Sequence, residues 1–271
     1  RPNLLVGVPT LFDALSRDPS LARADLSSLR ACFSGADTLP RPVKERFEAL
    51  VAARGGKLRL LEGYGLTEAV TGIMATPLTE YREGSIGIPF PDMDAKICRP
   101  GTTEAAPIGD EGEICIAGPA VMSGYLNDPE ASAQALQRHA DGRTWLHTGD
   151  LGRRDDDGFF SFTVRAKRMI KSSGFNVYPA QVEAVLYQHP LVDEACVIGV
   201  ADESQVERVK AVVVIKDPAL ATDATAQELI GFCRERLIKW SCPREIEFRD
   251  ELPKTRVGKV DFKSLVAEHR A

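Results

Sequence analysis

Apolar residues in this 271-residue chain come in short runs, and the length of those runs limits its fold more than any other feature. "AVVVI" at 211–215 and "ACVIGV" at 195–200 are far below the roughly 20 consecutive apolar residues that a membrane-spanning helix needs. Such runs read as buried strands. Between the strand-like runs stand segments with helical spacing. In "TLFDALSR" (10–17) Leu11, Phe12 and Leu15 share one helical face, and Val43, Phe47, Leu50 and Val51 repeat the pattern after Pro40, a good helix opener. "LRACFSG" (29–35) and "KLRLLEGYG" (57–65) end in glycine, where a strand would run into a loop. The first part of the chain therefore predicts helices packed on a sheet, an α/β pattern.

From about 84 to 163 the texture changes. "SIGIPF", "AKICRPG", "GEICIAG" and "GFFSFTV" are brief segments punctuated by Gly, Pro and Asp, which predicts a small antiparallel sheet or barrel. One short helix is expected in "DPEASAQALQ" (128–137), capped by Asp128 and started by Pro129. After "VRAKR" (164–168) the pattern becomes α+β: a helix from Pro179 with Val182, Val185 and Leu186 inward, strands at 195–200 and 209–215, then a further helix. Thr225 and Glu228 suggest a capping box ahead of Leu229, Ile230, Cys233 and Leu237. The expected division is 1–163, with 84–163 as its β-rich part, a hinge at 164–168, and a smaller unit at 169–271.

A net charge of -5 and a pI near 5.5 argue against a nucleic-acid partner, because affinity there comes largely from clustered Lys and Arg neutralising phosphates. The six cysteines form no CxxC pair and only four histidines accompany them, so neither a zinc site nor a disulfide framework is encoded. A reducing cytoplasm fits that usage. "RPNLLVGVPT" has no signal-peptide profile, and a chain that opens on Arg1 is expected to be a piece of something longer.

Four stretches invite a chemical reading. "EGYGLTE" (62–68) follows an apolar strand; its glycines let the backbone approach a ligand, Tyr64 could stack on a purine, Thr67 could donate to a phosphate, and Glu68 offers the hard oxygen that Mg²⁺ prefers. The plain alternative is a turn with an N-cap Thr. "WLHTGDLG" (145–152) sets Asp150 in a glycine-containing turn, where a carboxylate can accept from two adjacent hydroxyls or simply bond its own backbone. His147 has no nucleophile motif beside it and reads as structural. "SGAD" (34–37) is a loop that could read an adenine edge. "PKTRVGK" (253–259) has the wrong order for a phosphate loop, with Val260 where Ser or Thr is required, and a charge run is usually a solvated face.

In the order "EGYGLTE", "HTGD", "R-x-K" and "PKTRVGK", the whole chain resembles the AMP-forming adenylating superfamily of acyl-CoA synthetases, luciferases and peptide-synthetase adenylation domains. "SGFNVYPAQVE" (173–183) looks most like the fatty-acyl-CoA synthetase branch. The resemblance implies the end of a large adenylate-forming domain with its β-rich subdomain, followed by a mobile α+β lid. It also implies a ligase that joins a carboxylic, here fatty, acid to CoA through acyl-AMP, with ATP, Mg²⁺ and CoA as the small molecules used. No oligomeric state follows from it.

By the same resemblance Gly35, Ala36 and Asp37 would line the adenine, while Glu62, Gly63, Tyr64, Gly65, Leu66 and Thr67 would wrap base and α-phosphate. Glu68 would hold Mg²⁺, and Asp150 and Arg165 would grip the ribose hydroxyls. Lys259 would bridge the substrate carboxylate and the α-phosphate, where a cation neutralises the charge of two approaching anions. Lys254 and Arg256 would keep that neighbourhood attractive to ATP, Lys167 matches the hinge, and Gly174 the segment that enters with the thiol.

Departures from the family pattern are Asp37 in place of a small apolar residue, Val164 before Arg165 in place of Gly, "KSSG" in a normally glycine-richer loop, and no Ser/Thr/Gly-rich phosphate loop in residues 1–33. The chain by itself is therefore expected to be catalytically impaired. Two other readings stay open: an adenylation domain loading a carrier protein, or an aryl-CoA ligase, on one side, and a non-catalytic nucleotide-binding module on the other.

Overall fold

The computed structural model describes residues 1–202, 206–255 and 259–269. The chain divides into two units, Arg1–Leu39 with Val43–Ala166, and Lys167–Ala271 with Pro40–Pro42.

In the first unit β1 (Leu4–Gly7), β2 (Ala31–Ser34) and β3 (Leu60–Tyr64) pair in parallel. Parallel neighbours need crossovers, which α1 (Pro9–Arg17) and α2 (Arg41–Ala53) supply. Phe12 from α1 and Phe47 from α2 are fully buried and meet edge to face with ring centroids 4.9 Å apart. Burying each such ring contributes about 1.5–3 kcal/mol. Leu11 departs from the expected buried face and is exposed. Adjacent residues diverge by about a quarter-turn on a helix, so the stripe through Phe12 leaves Leu11 at its margin, over Gly7.

Two short antiparallel strands, β4 (Met74–Ala75) and β5 (Ile88–Pro89), extend the sheet beyond β3. "SIGIPF" thus bridges this first sheet and the β-rich stretch after it: Ile88 and Pro89 join the first, while the Ile86 N–H and the Gly87 carbonyl bond the backbone of Phe160 in the second. The reason is close backbone approach: a Cβ on Gly87 would fall 1.9 Å from the Ala75 carbonyl carbon.

The second sheet is antiparallel throughout and open, not a barrel. It contains β6 (Asp94–Cys98), β7 (Gly112–Ala117), β8 (Leu136–Arg138), β9 (Thr144–Arg154) and β10 (Phe160–Arg165), in the order β10-β9-β7-β6 with β8 on β9. Ile97, Ile114, Ile116, Leu146 and Phe160 form its core with Ile73 and Met74 of the first sheet. The helix α3 (Pro129–Ala135) starts where expected, with the Asp128 carboxylate accepting from the Ala131 N–H.

In the second unit β11 (Ile170–Ser172) and β12 (Phe175–Val177) form a tight hairpin. α4 (Pro179–Leu186) follows, then the long hairpin of β13 (Val192–Asp202) and β14 (Val206–Ile215). α5 (Asp223–Arg234), β15 (Glu245–Phe248), which pairs in parallel with β14, and α6 (Phe262–Glu268) complete it. Side chains alternate across a strand, so Ala195 and Val197 face the core under α4 and α5 while Cys196, Ile198 and Val200 face the one under α6. Covering both faces explains why these strands read as continuous apolar runs.

The cap of α5 differs from expectation. Thr222 is the N-cap, accepting from the Thr225 N–H, while Glu228 pairs with His189. The helix starts a turn earlier because Thr222 has the extended backbone that a cap requires and Thr225 is already helical. Among the described residues no helix is long and apolar enough to cross a membrane.

Candidate functional site

Asp150 sits in a bulge of β9, not in the turn that its glycine neighbour suggested. Glu113 of β7 faces Leu151 and Cys115 faces His147, so Thr148, Gly149 and Asp150 arch opposite Ile114 alone. Gly149 supplies the left-handed backbone this needs, at φ +70°. The Thr148 hydroxyl donates to the Ile114 carbonyl at 2.7 Å and accepts from the Asp150 N–H at 3.1 Å. Glu113 Oε1 accepts from the Gly149 N–H at 2.8 Å.

The arch turns the Asp150 carboxylate inward, where it is 1% exposed. The Tyr64 hydroxyl at the end of β3 donates to Oδ2 at 2.7 Å. Arg165, opposite Asp150 on β10, brings Nε to 3.0 Å from Oδ1 as an ion pair without a directed N–H, so Oδ1 accepts no hydrogen bond from the described residues. Burial raises the Asp150 pKa above its ordinary value, against the pull of Tyr64 and Arg165. Burial, then the adjacent Asp150 charge, pushes Tyr64 up as well, which keeps it a donor. The Tyr64 ring packs among Ile73, Met74 and Phe160 and does not offer the open stacking face expected of it.

After Tyr64 the chain reverses sharply. A Cβ on Gly65 would lie 1.4 Å from the Thr71 carbonyl oxygen, so only glycine fits. A short 3-10 turn covers Thr67–Ala69, capped by Leu66 and not by Thr67. Thr67 is exposed and Glu68 half-buried. Glu68 Oε1 accepts from the Tyr125 hydroxyl at 2.8 Å, and its carbonyl accepts from the Met122 N–H at 2.7 Å.

The "SGAD" loop leaves β2 beside this segment: a Cβ on Gly35 would be 3.2 Å from the Gly63 carbonyl oxygen. Ala36 has a left-handed backbone at φ +68°, and Asp37 is exposed, accepting from the Thr38 N–H. Ser34 Oγ is buried and has no hydrogen-bond partner among the described residues. Glu62 is half-exposed as a residue, yet burial of its carboxyl raises its pKa, partly offset by Lys44. Residues 35–37 and 62–66 thus gather at the carboxyl ends of β2 and β3, the edge of an open α/β sheet where ligands bind.

The other expected site residues lie in the second unit. Lys259 is half-buried; its N–H donates to Thr255 Oγ1 at 3.2 Å and its carbonyl accepts from the Thr255 N–H at 2.7 Å. Arg256 lies outside the described residues. Lys254 is paired with Glu194, so its charge is already partly neutralised. Lys167 is exposed within the short turn Ala166–Arg168. Gly174 and Ser173, at φ +79° and +52°, form the two-residue turn between β11 and β12.

Reasoning from sequence overlooked Glu113, Tyr125 and Ser34. Glu113 reads only as a polar position in an alternating strand, and Tyr125 as part of a loop. Ser34 alone carried a signal, as the first residue of "SGAD". Among the described residues one set of three potential metal donors occurs, Glu113, Cys115 and His147, within 4.8 Å of one another. The 2.7 Å separation of His147 Nδ1 from Glu113 Oε2 is a hydrogen bond, and the second Glu113 oxygen holds Gly149, so this set is satisfied internally.

The signature described as "AMP-binding enzyme" matches residues 1–126, and that described as "AMP-binding enzyme C-terminal domain" matches residues 181–259. A long-chain-fatty-acid–CoA ligase of Bacillus subtilis (strain 168) is 44% identical over 269 residues, covering 99% of this chain and 46% of that protein. A feruloyl-CoA synthase of an Amycolatopsis species is 40% identical over 262 residues, covering 96% of this chain and 50% of that protein. The crystal structure of ATP-bound MatB from Rhodopseudomonas palustris superimposes with a TM-score of 0.87 at 31% identity, over 100% of this chain and 51% of that one. The chain spans about half the length of the curated relatives it matches.

Proposed function

Because the chain belongs to the AMP-binding enzyme family, we propose that it is the nucleotide-gripping and thiol-transfer part of an AMP-forming ligase that joins a long-chain fatty acid to CoA. The observation that carries this reading is the Asp150 carboxylate: buried, supported on one oxygen by Tyr64, and on the other ion-paired with Arg165 without a hydrogen bond from the described residues. A ribose diol presents hydrogen-bond donors, and a buried acceptor bonds them strongly. The fatty acid follows from the 44% identity to a ligase named for that substrate.

In this reading Gly35, Ala36, Asp37 and Glu62 to Leu66 surround the base, Thr67 donates to the α-phosphate, and Asp150 with Arg165 orients the ribose. Orientation fixes the α-phosphate for in-line attack by the acid's carboxylate, pyrophosphate leaving. Lys259 stabilises the charge that gathers where these anions meet. CoA thiolate then attacks the acyl carbonyl and AMP leaves. The exposed Lys167 serves as the hinge, and the small, exposed turn at Gly174 admits the thiol arm. One Glu68 oxygen accepts from Tyr125, and the other accepts no hydrogen bond from the described residues. A single carboxylate suits Mg²⁺, which is usually held by one or two carboxylates together with substrate phosphates and screens their charge.

The test is a graft of this chain in place of the matching portion of the Bacillus subtilis relative. Pyrophosphate exchange driven by a long-chain fatty acid is expected, with Lys259→Ala losing adenylate formation and a bulky residue at Gly174 slowing thioester formation from supplied acyl-AMP. Equal damage to both half-reactions by both substitutions would contradict the assignment. An aryl acid outperforming the fatty acid would favour the kind of ligase to which the Amycolatopsis relative belongs.

A further inference from the structure

We propose that Glu113 is a positioning residue for nucleotide binding: with His147 and Thr148 it locks the β9 bulge that aims the Asp150 carboxylate. This rests on the reading of Asp150 as the ribose acceptor.

A bulge in which three residues face one leaves backbone groups without ladder partners, and such groups need a local substitute when buried. Here the side-chain substitutes among the described residues come from Glu113 and Thr148. Glu113 Oε1 takes the Gly149 N–H at 2.8 Å, and Thr148 ties the Ile114 carbonyl to the Asp150 N–H at 2.7 and 3.1 Å. The second Glu113 oxygen is held at 2.7 Å by His147 Nδ1, and His147 Nε2 lies 2.9 Å from His139 Nε2. Glu113 spans the base of the arch because it stands on β7, opposite Leu151, the residue after Asp150.

Proton accounting fixes the direction of the first bond. An ionised Glu113 only accepts, so His147 Nδ1 carries the hydrogen between them, and of His147 Nε2 and His139 Nε2 one donates to the other. His139 Nδ1 is buried without a hydrogen-bond partner among the described residues. Burial would raise the Glu113 pKa, yet the bonds from His147 and Gly149 hold it below the ordinary carboxylate value.

The arch has no other fastening among the described residues that would hold Gly149. Its left-handed backbone can relax once Glu113 is shortened, and Asp150 is the next residue. Misplacing a group that orients a ligand by about 1 Å can cost on the order of a hundredfold.

The experiment measures AMP affinity by calorimetry and Gly149 amide exchange by NMR in the complete 271-residue chain, with Glu113→Ala, Glu113→Gln, Thr148→Val and Asp150→Asn. Expected are faster Gly149 exchange and AMP binding weakened about tenfold or more in Glu113→Ala. Recovery of most of both is expected in Glu113→Gln, whose amide oxygen still accepts from Gly149. Adding Glu113→Ala to Asp150→Asn is expected to cost little further affinity, because the first acts through the second. Thr148→Val, which keeps the shape, is expected to weaken AMP binding in the same direction and serves if Glu113→Ala does not fold. Unchanged Gly149 exchange and unchanged AMP affinity in Glu113→Ala overturn the proposal. Full additivity with Asp150→Asn also overturns it. A different pattern marks failure of the underlying reading: Asp150→Asn binding AMP as well as the unaltered chain, with Gly149 exchange still accelerated by Glu113→Ala.

Discussion

Two carboxylates, one in each unit, are ringed by polar partners and end with opposite chemistry. Glu247 on β15 receives Lys210 Nζ at 2.8 Å, Arg249 Nε at 2.6 Å and His269 Nε2 at 2.8 Å. Burial raises its pKa, but these hydrogen bonds outweigh it and bring the value from 4.5 to about 2. Among the described residues Asp150 has Tyr64 and one imperfectly directed arginine against near-complete burial, and its pKa goes up. The first carboxylate is saturated and stabilises its unit. The second is held short of saturation, which costs stability and, in the proposed reading, reserves the carboxylate for the ribose.

Substitution of Asp150 by Asn should have the largest effect. AMP affinity is expected to fall by about ten- to a hundredfold, the loss of hydrogen bonds to a charged group. Its unfolding free energy should stay level or rise, since a raised carboxyl pKa means that ionisation is a burden in the folded state. A drop in melting temperature with AMP affinity intact would reverse the comparison.

Glu247→Gln should do the opposite: destabilise by about 1–3 kcal/mol in denaturant unfolding and leave AMP affinity as it was. The pH dependence sharpens this. A depressed pKa contributes stability above the ordinary 4.5 and loses it as pH falls towards 2, so the gap between the unaltered chain and Glu247→Gln should close over that interval. Asp150 has the opposite sign, its penalty setting in as pH rises from 3.8 through the raised value. A gap for Glu247→Gln that persists unchanged at pH 2 would show that the hub is not ionic.

Tyr64→Phe removes the bond to Oδ2 and should lift the Asp150 pKa further, read by carboxyl carbon NMR, with about 1 kcal/mol lost in AMP binding. An unchanged titration would mean that Tyr64 does not support the carboxylate. Smallest of all, Thr222→Ala should cost about 1 kcal/mol or less through the α5 cap, with no effect on the nucleotide.

How much of this was legible in the sequence follows from range. Strands such as 195–200 and 211–215 and the cap at Asp128 were readable because periodicity and capping act over a few residues. Leu11 was misjudged by one residue and the α5 cap by one turn, where a local pattern allows two registers and only packing chooses. The sheet and helix classes came through; the place of "SIGIPF" came through only in part, because it pairs with β4 as well as with Phe160 of β10. At the site, Asp150 stood out by its glycine neighbour, but the bulge did not, since it depends on a register between β7 and β9. Glu113 was invisible for the same cause: its partners lie 34 and 36 positions away.

The most direct measurement compares AMP with its 2′,3′-dideoxy analogue by calorimetry, in this chain and in Asp150→Asn. AMP is the suitable probe because the residues proposed above to hold its base, ribose and α-phosphate are among these 271 positions. The account predicts that removing the diol weakens binding strongly in the unaltered chain and hardly at all in Asp150→Asn. An equal loss in both would contradict it, since the ribose hydroxyls would then be recognised without the Asp150 carboxylate.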